Sequence, residues 1–120
     1  MSSDREEQSF IRTILENQLF SWPYVTSKYM FGCFVYLVKG KLFAFINDDD
    51  LVITNLDETS REAITESLEA FPFESKGKFI GGWIEVVVSD ESELTSVIEY
   101  VRKSYEAALA KPQVMKRKGK

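Results

Sequence analysis

Residues 29–45 read YMFGCFVYLVKGKLFAF, and the fold turns on how this stretch divides. It is apolar nearly throughout, broken by a Gly32-Cys33 step and by Lys39-Gly40-Lys41. Aromatic and β-branched residues dominate residues 29–38, which predicts a strand. Lys39-Gly40 has the composition of a tight turn, with Gly40 free to take a positive φ, and residues 41–46 read as the returning strand. Asn47-Asp48-Asp49-Asp50 follows as a turn, because Asn and Asp side chains bond their own backbone. Residues 51–54 make a third, shorter strand, and a three-stranded antiparallel meander is expected. The first strand does not alternate. One parity carries Met30, Phe34, Tyr36 and Val38, the other Phe31, Cys33, Val35 and Leu37, so both of its faces are expected to be covered. Phe31 is expected in the core, with Gly32 letting a helix or a neighbouring backbone approach closely.

Helices flank this meander. Ser3-Asp4-Arg5-Glu6 has capping-box spacing, and Phe10, Ile11, Ile14, Leu15 and Leu19 follow as one helical stripe, predicting a helix over residues 4–19 that ends before Pro23. Thr59-Ser60-Arg61-Glu62 is a second capping-box pattern, followed by Ala63, Ile64, Leu68 and Phe71, with Pro72 expected to stop that helix. Residues 73–79 read as a weak strand or loop, Gly81-Gly82 as a turn and residues 83–88 as a strong strand. Asp90-Glu91-Ser92-Glu93 places acids at the positive end of a last helix, whose stripe of Leu94, Val97, Ile98, Val101, Tyr105 and Ala108 carries it to about residue 110. The predicted order is α-β-β-β-α-β-β-α: a single α+β domain over residues 1–110, two-layered, with a mostly antiparallel sheet packed against helices. Residues 111–120 form a basic tail expected to be disordered.

The chemistry is bounded mainly by what is missing. The 120 residues contain no histidine and one cysteine. Ser-His-Asp and Cys-His catalysis, His-based metal sites and thiolate clusters are therefore excluded, and no internal disulfide can form. Cys33 lies in an apolar run and reads as a buried structural thiol, in keeping with a reducing compartment. The acidic 47–50 segment lacks the glycine and late glutamate of a calcium loop and reads as a solvated turn. The glycines of residues 77–82 lead into a strand rather than into a helix, so they are not a phosphate loop. Glu85 interrupts an apolar strand and reads as a solvent-facing or edge position, with a raised-pKa acid beside Trp83 as the competing reading. Metal and cofactor are expected to be absent, and enzymatic activity likewise.

Five of the 15 basic residues lie in residues 111–120, which hold no acid, so the rest of the chain is strongly acidic. Nucleic acid is thereby expected to reach the chain only through the tail. The first residues are polar without an apolar signal region, and no run approaches the ~20 residues that span a bilayer. A cytoplasmic chain without membrane contact is expected.

Val25 to Gly32, with Lys28 shortly before Met30-Phe31-Gly32, resembles the TfoX N-terminal domain family. The Lys39-Gly40-Lys41-Leu42-Phe43-Ala44 turn and return, residues 51–57, Ala70-Phe71-Pro72-Phe73 and Gly82-Trp83-Ile84-Glu85-Val86 extend the resemblance over about residues 8–110. Cys33 stands where the family usually has a second glycine, Thr54-Asn55 where a lysine is common, and Val87-Val88 lacks a proline that often follows. Residues 40–44 and 103–106 are also similar to the YjbR/MmcQ-like proteins; Met30-Phe31-Gly32 favours TfoX. The resemblance implies an α+β fold without assigned catalytic residues or cofactor, and a regulatory link to bacterial competence for DNA uptake. In the protein that gives the family its name a second domain follows, and this chain is expected to be too short to carry one.

Three functions are weighed. The first is a regulatory or adaptor module that binds protein, a second copy included. The second is a nucleic-acid-associated factor using the tail. The third is a small-molecule binder or uncharacterised enzyme with Glu85 or Cys33 in a pocket. The candidate interaction surface comprises Lys28, Tyr29, Met30, Phe34 and Tyr36 on the first strand, Trp83 and Glu85 on the last, and Lys116, Arg117 and Lys118 in the tail. Strands apolar on both parities predict a homodimer in which two sheets cover each other about a two-fold axis. The alternative is helix 1 on one face and helix 3 on the other.

Overall fold

A computed structural model describes residues 3–30, 32–47 and 50–110, with only the backbone described for residues 3–10 and Phe79. The elements are α1 (Ser3–Leu19), β1 (Val25–Met30), β2 (Cys33–Val38), β3 (Lys41–Asn47), β4 (Asp50–Ile53), α2 (Glu58–Ser67), β5 (Ala70–Ser75), β6 (Lys78–Val87) and α3 (Glu91–Ala110). The six strands form one antiparallel sheet in the order β1-β2-β3-β4-β6-β5. The α+β class is as expected, with one strand more before α2.

The extra strand comes from Gly32. The chain reverses there at φ +76°, so Met30 pairs with Cys33 and Val25 with Val38. Residues 29–38 are thus the inner end of a hairpin, not one strand. Open space surrounds Gly32, and an added Cβ would meet nothing within 4 Å; backbone handedness, not close approach, calls for glycine here. The expectation for Phe31 lies outside the described residues, as do Asp48, Asp49 and the tail. The reversal also moves Met30 to the face opposite Phe34.

Three further expectations change. Asp57 caps α2, its carboxylate accepting the Ser60 N–H at 2.8 Å, and α2 stops at Ser67 with Leu68 already extended. Pro72 therefore ends no helix; it sits in strand β5. The turn between β5 and β6 falls at Lys76 and Gly77, both at positive φ, as at Lys39-Gly40, the geometry that suits the twist of a two-residue hairpin. Gly81-Gly82 lies inside β6. There the register slips from Pro72↔Ile84 to Glu74↔Phe79, a bulge with Gly82 at φ +83°. Bulges bend a strand sharply.

All three helices pack on one face. Ile11, Leu15 and Leu19 of α1, Ile64 of α2 and the α3 stripe of Leu94, Val97, Val101, Tyr105 and Ala108 meet Tyr36, Val38, Phe43, Ile46, Leu51, Ile53, Ile84 and Val86 of the sheet. The opposite face has its own core of Val35, Leu37, Phe45, Val52 and Phe73, with Met30, Cys33, Leu42, Ile80 and Trp83 against it. Among the described residues no helix side chain belongs to this second core. Val35 and Leu37 are nonetheless buried within the single chain, so the apolar second parity of β2 needs neither another copy nor α1 to cover it. Among the described residues no helix is long and apolar enough to cross a membrane.

Candidate functional site

The concave face of the sheet holds a cavity of about 360 Å³. Its described walls are Met30 and Cys33 from the β1–β2 hairpin, Val35, Leu42, Phe45 and Asn47 from the middle of the sheet, and Phe73, Ser75 and Trp83 from its far end. β1 and β5 are opposite edges of the sheet, yet both contribute. The bulge at Gly82 turns the β5–β6 end inward until Phe73 and Trp83 meet Phe45. The three rings lock together, with centroids 5.5 Å apart for Phe45–Phe73, 5.6 Å for Phe45–Trp83 and 5.7 Å for Phe73–Trp83, distances at which aromatic pairs attract through their quadrupoles.

The hairpin that supplies Met30 also forms an open edge. The Lys39 N–H donates to the Tyr24 carbonyl. Alternation along an antiparallel ladder then turns the backbone groups of Thr26, Lys28 and Met30 toward β2 and those of Val25, Ser27 and Tyr29 outward. Beside this edge Tyr29 is 66% exposed, Tyr24 63% and Phe20 49%. Tyr29 stacks edge-on against Phe34 at 4.9 Å, and the Arg12 guanidinium lies over Phe34 at 4.2 Å, held by Glu16 at 3.3 Å.

The sequence-derived surface is therefore divided. Lys28 and Tyr29 are exposed on β1, and Phe34 is half-buried beneath Tyr29. Tyr36 is not a surface residue. It is fully buried and donates its hydroxyl to Glu16 Oε2 at 2.8 Å; burial first, then the Glu16 bond and charge, push the phenol far above its ordinary pKa. Met30 and Trp83 line the cavity on the other face. Glu85 shares that face with Trp83 but is half-buried and does not line the cavity; β6 lies between β4 and β5, so the edge reading of Glu85 fails. Lys116, Arg117 and Lys118 lie outside the described residues. Sequence reasoning placed Cys33 in a pocket as one of its alternatives but missed Phe45 and Phe73 as its partners there. Their signal was the second parity of β2 and β3 together with the alternation Phe71-Pro72-Phe73.

A family description, the TfoX N-terminal domain, matches residues 17–108. The chain belongs to the TfoX N-terminal domain family. A search among curated proteins found no match. The TfoX match spans the sheet and the helices α2 and α3, so cavity and open edge both fall within the family's domain. Among the described residues no group of three His, Cys, Asp or Glu is placed to hold a metal ion.

Proposed function

We propose that this domain is a regulatory or adaptor module that works by binding protein through the open edge of β1, without catalysis, in a reducing, cytoplasmic setting. The difference between the two sheet edges carries the reading. On β5 the Val87 N–H donates to the Glu69 carbonyl, so alternation turns the backbone of residue 72 outward. That residue is Pro72, which has no N–H to offer, and a register slip follows it. Proline and bulges are the usual means of keeping an edge from pairing. β1 has neither. Its outward N–H groups are intact, its one charge is Lys28, and aromatic side chains of the kind enriched at interfaces flank it.

The partner with most support is a second copy. Antiparallel pairing about a two-fold axis at Ser27 sets Tyr29 against Val25 of the second copy and Lys28 against Thr26, and opposes no like charges. Main-chain bonds then supply the affinity and the aromatic neighbours the selectivity. Ser27→Pro removes an outward N–H without touching the β1–β2 ladder. Sedimentation over a dilution series is expected to show a dimer for the native chain and a monomer for Ser27→Pro with unchanged circular dichroism. A native chain that is monomeric throughout, or a variant that still dimerises, overturns the reading.

A further inference from the structure

We infer that the cavity inside the curl of the sheet is a binding site for a small, uncharged, flat aromatic molecule, separate from the β1 edge in both location and ligand. Its volume, about 360 Å³, lies in the range of roughly 300–1,000 Å³ typical of sites for small organic ligands. Its walls are set before any ligand arrives. Phe45 and Phe73 are buried and locked to Trp83, so the space is a recess and not a fold in a loose surface. Much of its lining is apolar, and Val35, Leu42, Phe45 and Phe73 offer water no hydrogen bond. An open recess with mostly apolar walls leaves apolar surface in water that a ligand would cover.

The walls also state what fits. The ring cluster of Phe45, Phe73 and Trp83 in the wall favours a planar aromatic body, and the Met30 thioether favours contact with an aromatic edge. Among the described residues no acidic or basic one lines the space. Among the described strand residues on the same sheet face, Lys28 and Lys78 are balanced in number by Asp50 and Glu85. Asn47 and Ser75 are the polar members of the wall. They can fix one or two hydrogen-bonding atoms on an otherwise apolar ligand. An occupant would touch Met30 on one sheet edge and Phe73 on the other, tying the curl together.

The probe of choice is N-phenyl-1-naphthylamine, which is uncharged and brightens in apolar surroundings. In a Trp22→Phe chain, Trp83 is the sole tryptophan. Titration is expected to give saturable one-to-one binding with quenching of Trp83 emission, and to raise the melting temperature, as any ligand of the folded state must. Ser75→Phe places a ring at the wall and is expected to weaken binding at least about tenfold, roughly 1.4 kcal/mol, with unchanged circular dichroism. Should that variant fold poorly, the native chain supplies the second measurement: bound probe slows alkylation of Cys33 by iodoacetamide with the same saturation curve. The sulfonated analogue, 8-anilino-1-naphthalenesulfonate, tests the charge rule and is expected to bind at least about tenfold more weakly. Probe binding that does not saturate, or that leaves both Trp83 emission and Cys33 alkylation unchanged, overturns the site. Equal binding of the sulfonate overturns the uncharged class.

Discussion

The Ser104 hydroxyl of α3 donates to the Phe43 carbonyl of β3 at 2.7 Å, at a point where neither group meets solvent. Phe43 is the extra residue where the β2–β3 register slips, so its carbonyl turns toward the helix. The same hydroxyl accepts the Asn55 N–H at 3.0 Å, and the next residue, Tyr105, donates its hydroxyl to the Pro23 carbonyl at 2.8 Å. The serine thus pins α3 to the sheet and to the segment entering α2. Ser104→Ala keeps the volume and removes the bonds. It is expected to lower stability by about 0.5–1.5 kcal/mol for each bond lost, since the Phe43 carbonyl still accepts the Thr54 N–H at 3.3 Å, measured by urea unfolding.

Tyr36 makes the fold sensitive to alkali. Its neutral phenol is stabilised in the folded state, because burial and the Glu16 carboxylate both oppose ionisation. The unfolded chain ionises near the ordinary value of 10.0. Below that pH the contribution is fully present. Above it the unfolded state gives up a proton that the folded state keeps, so stability declines as pH rises. Urea midpoints are expected to fall above about pH 10 in the native chain and to fall less in Tyr36→Phe, which has no phenol to ionise at that position. Parallel alkaline slopes would contradict this.

Much of the fold was legible because the periodic signals were long. The stripes of α1 and α3 set both helices against the sheet, and Lys39-Gly40 announced its hairpin. The break at Gly32 was hidden because apolar residues surround it on both sides, and a glycine inside such a run signals a bulge or a turn equally well. Pro72 looked like a helix stop because Leu68 and Phe71 continued the α2 stripe by chance; the deciding contact, β5 against β6, is non-local. The cavity was least legible of all. It depends on the bulge at Gly81-Gly82 bringing Trp83 and Phe73 onto Phe45, and no local pattern states the direction of that bend.

Gly32 separates handedness from crowding. Its φ of +76° disfavours any side chain, while the space around it would admit one freely. Gly32→Ala is expected to cost about 1–2 kcal/mol, the penalty for an L-residue in the left-handed region. Gly32→Asn should cost less, since asparagine tolerates that region better. Thermal unfolding of the pair checks this. Equal losses would point instead to the identity of the hairpin's neighbours.

Residues 111–120 offer the last test, through charge rather than packing. The final core residue of α3 is Ala108, and its carbonyl already accepts the Lys41 ammonium at 3.2 Å, so ending the chain after Ala110 removes nothing from the described core. Melting is expected to be unchanged. The same cut removes Lys111, Lys116, Arg117, Lys118 and Lys120 and leaves a chain dominated by acids. The full chain is expected to be held on heparin at low salt and released as salt rises, because exposed charges are screened within a Debye length of about 8 Å at physiological ionic strength. The truncated chain should flow through. Retention of the truncated chain would place the cationic surface on the folded body, against its charge balance. A lower melting point would show that the tail packs on the domain.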